Sequence, residues 1–163
     1  MNAKDAIKSA LTSTQHMLSM YLSDLSDADL LVRPVPKANH IAWQLGHLID
    51  AEIQFGKQIP GAVYPELPAG FADQHSPAAA SVDPPKGFGG KDSYLGLFNK
   101  VREATVAAVA RMTDADLDRP TTGQMAKFAP TLGHLLLLQA NHTLMHAGQF
   151  TVVRRKLGKP VLF

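Results

Sequence analysis

His142 and His146 stand four residues apart in a stretch, Pro130 to Lys159, that reads as one long helix. Four helical residues turn through about 400° and rise about 6 Å, so both imidazoles leave the same face one turn apart. Leu132, Leu135, Gln139, His142, His146, Gln149 and Val153 recur at steps of three and four, the spacing of a core-facing stripe. Two imidazoles on an inward stripe offer two nitrogen ligands to a divalent ion. A firm site needs at least a third from elsewhere in the fold. The best source is His47, in the run Leu45-Gly46-His47-Leu48. The plainer reading makes His142 and His146 ordinary core or surface histidines. Against it, Gln139 and Gln149 share the stripe, and burying four polar side chains without partners costs several kcal/mol.

The elements that must position these rings follow from hydrophobic spacing. A first helix runs from about Lys4 to Leu25, with a seam at Ile7, Leu11, Thr14, Leu18, Tyr21 and Leu25. A second runs from about His40 to Gln58 behind Asn39, a good N-cap. Ile41, Leu45, Leu48 and Phe55 form its apolar face, and Trp43, His47 and Gln54 a neighbouring stripe with Asp50 beside it. A third, from about Lys91 to Met112, carries a seam at Tyr94, Phe98, Val101, Thr105, Ala108 and Met112, with Asp92 or Ser93 to serve its start. The fourth is apolar nearly all round, which buries it on most sides or places it in a subunit interface. Gly158 and Pro160 end it. Four amphipathic helices without a convincing strand make an all-α four-helix bundle, read as one domain over residues 1–163.

Between the second and third helices, Gly56 to Gly90 holds more than half of the eleven prolines. This is too long for a simple bundle turn. It reads as a proline-rich crossover or lid, pinned by Tyr64, Leu67 and Phe71, from which His75 could approach a site. His16 reads as a surface residue, His40 as solvated or capping, and His134 as structural, too far along the axis to share an ion with His146. Asp114, Asp116 and Asp118 alternate as in a calcium loop, but the glycine and distal glutamate of that motif are missing, so they read as solvated turn residues.

Composition excludes several classes. With no cysteine, the chain has no disulfide, thiolate ligand or cysteine nucleophile, which fits a reducing compartment. A net charge of +2 with scattered basic residues leaves no footprint for nucleic acid. Arg154, Arg155 and Lys156 complement the dipole at the end of the last helix. No apolar run has membrane-span length and the N-terminus lacks a signal core, so the expected location is cytoplasmic.

Two runs carry a resemblance. Asn39-His40-Ile41-Ala42-Trp43-Gln44-Leu45-Gly46-His47-Leu48 after Arg33-Pro34, and His142-Thr143-Leu144-Met145-His146-Ala147-Gly148-Gln149 followed by Arg154 and Leu157-Gly158-Lys159-Pro160, resemble the second and last helices of the DinB-like family. The resemblance implies a four-helix bundle of unusual connectivity, often a homodimer. It also implies a divalent metal on three histidines, matching His47, His142 and His146. Zinc, nickel, iron and manganese all suit three imidazoles. Related bundles include thiol-dependent transferases and the mycothiol-dependent maleylpyruvate isomerases. A glutamate replaces one histidine in some of those relatives, so the isomerase assignment is not carried over. The expectation is a metal-dependent enzyme, a thiol-using S-transferase with a low-molecular-weight thiol as partner. The alternatives are a non-catalytic or stress-associated metal-binding bundle, a metal-dependent hydrolase, or a bundle with vestigial histidines. Gln139, Gln149 and Asp50 are candidates to orient the imidazoles.

Overall fold

The computed structural model describes residues 1–160 and 162. Four long helices dominate it: α1 (Ala3–Leu22), α2 (Ile41–Gly56), α4 (Lys91–Arg111) and α6 (Leu132–Lys156). Short helices α3 (Phe71–Gln74) and α5 (Asp114–Leu117) lie in the connections. Among the described residues there is no strand, only an isolated bridge between Pro120 and Thr131. The fold is an all-α four-helix bundle.

Each of α1 and α2 packs against both α4 and α6, so the first two long helices sit diagonally. Directions follow from contacts. Lys4 at the start of α1 reaches the carbonyl of Met112 just past the end of α4, so those two run oppositely. The C-terminal part of α6 meets that of α1 where Arg154 donates to the Tyr21 carbonyl. The seams read from sequence are the buried ones. Ile7, Leu11, Thr14 and Leu18 face inward on α1, and Tyr94, Phe98, Val101, Thr105 and Ala108 on α4.

Capping departs from the simplest reading. α2 is capped by His40 and not by Asn39: the His40 Nδ1 accepts the Trp43 N–H at 3.2 Å. α4 starts without a cap from Asp92 or Ser93. Asp27, in the first connector, accepts the Lys91 N–H at 2.6 Å, because Gly90 leaves no Cβ in the way. α6 starts at Thr131, whose hydroxyl accepts the His134 N–H, and ends with Gly158 at φ +68° and two backbone bonds folding back onto its last turn. Two of the expected turn aspartates, Asp114 and Asp116, belong to α5, which Thr113 and Asp116 close in a capping box. Arg154 does more than face a dipole. It is buried and paired to Asp24.

The interior is two apolar clusters with a polar layer between. One gathers Leu18, Leu22, Leu45, Phe98 and Phe150; the other Ile7, Leu11, Val109, Leu132 and Leu135. In the layer, Arg102 is fully buried and every guanidinium N–H has a partner. Nε and Nη2 clasp the Glu52 carboxylate at 2.8–3.1 Å. Nη1 donates to the Leu11 carbonyl and Thr14, and Nη2 to Thr143. Thr105 donates to the remaining side of Glu52 at 2.7 Å and meets the Tyr64 hydroxyl.

Residues 57–90 join α2 to α4. Tyr64, Leu67 and Phe88 pack against the first apolar cluster and Phe71 is part of it. His75, which could have approached the site from this loop, is buried instead and does not join the three histidines. Its Nδ1 meets the Phe71 carbonyl at 2.7 Å and its Nε2 the Tyr94 hydroxyl at 2.8 Å. The ring fills the space that the missing side chain of Gly46 leaves.

Candidate metal centre

α2 and α6 run antiparallel, so His47 in the middle of α2 meets His142 and His146 in the middle of α6. The ring centroid of His47 lies 5.1 Å from that of His142 and 5.4 Å from that of His146. One nitrogen from each of the three lies within 4.8 Å of the others, a spacing that could hold a metal ion. Among the described residues this is the one group of three such side chains, and no Asp or Glu belongs to it.

The neighbours fix the rings. His47 stacks on Trp43, centroids 5.0 Å apart and planes within 7°, and the Trp43 indole N–H is anchored on the Ser76 carbonyl at 3.0 Å. Gln44 holds His146. Its amide nitrogen donates to the Asn39 carbonyl at 2.8 Å, so its oxygen is the atom that faces His146 Nδ1 at 2.8 Å. Nδ1 therefore carries the proton, and Nε2 presents a lone pair into the cluster. The Nε2 atoms of His146 and His142 are 3.2 Å apart.

Electrostatics favour neutral rings. Burial, then the neighbouring imidazoles, push His146 down to about 3; burial, then His47, push His142 down to about 4. Burial lowers His47 as well, with the Asp50 charge opposing it. Rings that stay neutral keep their lone pairs for a cation. Three neutral nitrogens, one oriented by a buried amide, are a donor set that fits a divalent transition ion.

Other expectations fare differently. Gln149 is exposed and Gln139 bonds the Glu52 carbonyl, so neither orients an imidazole through a hydrogen bond. Asp50 reaches His47 through charge and bonds Gln54. His16 and His134 are exposed, His134 against the Thr131 hydroxyl. Gln44 was missed. Its signal was a lone amide amid Ile41-Ala42-Trp43 and Leu45, a run with no other polar side chain.

Fold and cluster define a helical-bundle protein with a three-histidine site of metal-ligand spacing. The chain belongs to the DinB superfamily, whose family model matches residues 10–150. It is similar in fold to a Bacillus subtilis protein, YfiT, described as a probable metal-dependent hydrolase with an unusual four-helix bundle topology. TM-score is 0.69 at 19% identity, over 96% of this chain and 89% of that one. A conserved Enterococcus faecalis protein is similar at TM-score 0.69 and 14% identity, over 98% of this chain and 99% of its own. No curated protein matches the sequence.

Proposed function

We propose that the protein is a divalent-metal-dependent enzyme whose ion is held by His47, His142 and His146. The observation that carries this is the convergence of three neutral imidazole nitrogens within 4.8 Å, from two helices. A divalent ion there would act as a Lewis acid that favours the ionised form of a bound water or thiol near neutral pH. The chain supplies orientation through Gln44 and Trp43, and leaves His142 half-buried at the mouth.

The finer reading is a thiol-dependent S-transferase. Hydrolysis also calls for a proton at the leaving group, and no carboxylate joins the three histidines to supply it. The buried Glu52 is committed to Arg102 and Thr105. A thiol, with an ordinary pKa near 8.5, needs less help. Such thiols stay reduced in the cytoplasm, where we place the reaction. The second reading, hydrolysis, draws on the description of the Bacillus subtilis relative. Cobalt-substituted protein mixed with a small thiol separates them: a new sulfur-to-cobalt charge-transfer band supports the transferase, and its absence with 2-mercaptoethanol, cysteine and glutathione alike removes it.

We further propose a homodimer formed through the outer face of α6, where Leu137, Leu144, Met145 and Val152 are 39–60% exposed. Sedimentation should give a dimer that Met145→Asp turns into a monomer. A monomeric parent at micromolar concentration would overturn it.

A further inference from the structure

An apolar depression of about 270 Å³ opens beside the histidine cluster. Phe55 of α2, Leu138 and His142 of α6, and Met125 and Phe128 of the connection before α6 line it. None of the five carries a carboxylate, ammonium or guanidinium. His142 thus belongs to both the cluster and the depression. The connection is held there by its own bonds. Thr122 donates its N–H and hydroxyl to Gln58, just past the end of α2, and Thr121 and Leu132 close the neck on Pro130 and Arg119. Phe128 is 76% exposed, so it rests on the rim without being needed to fill a core.

We propose that this depression binds the apolar part, an aryl or branched alkyl group, of the small molecule that reacts at the three histidines. This rests on the metal-centre reading. The volume takes one ring-sized group and not a large ligand. The lining contains no fixed charge to neutralise an ionic group, and burying an anion or cation there would be costly. Met125 can adapt to different outlines. Contact with His142 puts the bound group next to the site of reaction.

The test compares two ligands with one metal-binding head, acetohydroxamate and benzohydroxamate, on zinc-loaded protein by calorimetry. Benzohydroxamate should bind at least about tenfold more tightly, since its ring leaves water. Phe128→Ser should bring the two affinities to within about threefold while leaving zinc content and acetohydroxamate affinity unchanged. Equal affinities in the parent overturn the proposal. So does a Phe128→Ser that lowers both equally, or one that only dissociates a dimer and leaves the ratio intact, which would assign the face to a second copy. If zinc does not bind, the metal reading fails by itself, and the depression is still decided in metal-free protein. Phenol should shift the Met125 methyl resonance in the parent and not in Phe128→Ser. No shift in the parent overturns the proposal.

Discussion

Two polar groups lie within a turn of each other along α6 and are built on opposite rules. Around Arg102 every donor is matched, and Thr143 closes the last one. One residue earlier, His142 brings its Nε2 within 3.2 Å of His146 Nε2, and the three rings, His47 included, meet with no charged side chain among them. Arg102 can lose its partners only by unfolding. The histidines have room for a further ligand. A buried network closed by an ion pair specifies a structure, and a cluster of neutral imidazoles is open to a cation. The pKa directions agree, since all three imidazoles are held toward their neutral form.

The largest effect should come from the saturated side. Arg102→Met leaves the Glu52 carboxylate buried without its cation, at a cost of about 3–5 kcal/mol. Urea unfolding of metal-free protein measures it. Zinc content of whatever folds should stay near stoichiometric. A loss below about 1 kcal/mol would mean that the layer is wetter than its geometry implies.

Next come the ligands. Alanine at His47, His142 or His146 should drop bound metal well below one per chain. Each variant should also lose the metal-dependent stabilisation, about 2.7 kcal/mol at a hundredfold excess over Kd. Elemental analysis and melting curves with and without chelator read both. His16→Ala and His134→Ala, both exposed in the parent, should behave like the parent. His75→Ala should lose stability, because its ring fills the space over Gly46, yet retain metal. If His47→Ala keeps its metal and His75→Ala does not, the ligand set is wrong.

A smaller change sharpens the contrast without touching a ligand. Gln44→Leu removes the acceptor that fixes His146 and should weaken metal affinity by about 10- to 100-fold, with a loss of about 1–3 kcal/mol in metal-free stability from the buried His146 N–H left without a partner. An unchanged affinity would show that the ring needs no orientation from Gln44.

The sequence made the seams and the three histidines legible because both depend on local spacing. Ile7 to Leu18, Tyr94 to Ala108, and the His142–His146 step are properties of one helix each. What it hid is pairing across the chain. Arg102 follows a seam residue, and nothing near it in the sequence announces its partner Glu52, fifty positions earlier. Asp27 caps a helix that starts 64 residues later. The depth of His75 depends on the bare backbone of Gly46. Gln149 misled because the buried stripe of α6 passes through Thr143, His146, Ala147 and Phe150, and so leaves it outside.

The mildest test concerns a histidine that belongs to neither group. His40 caps α2 by accepting the Trp43 N–H at Nδ1, which requires a bare nitrogen there. Burial, then the charge of Arg33, push it down to about 4, below its ordinary 6.5. A folded pKa below the unfolded one means the neutral ring's contribution is complete above about pH 6.5 and is lost as pH falls toward 4. His40→Asn keeps a capping side chain and cannot titrate. It will be less stable than the parent at pH 7, since the ring packs edge-on against Phe88. As metal-free protein is taken from pH 7 to pH 5, the parent should lose about 1–2 kcal/mol that the variant does not. His142 and His146 titrate in the same direction in both proteins, so the difference between the two unfolding curves isolates His40. A gap that stays constant with pH would mean that the folded ring takes up its proton as readily as the unfolded one, and so does not cap α2 through a bare Nδ1.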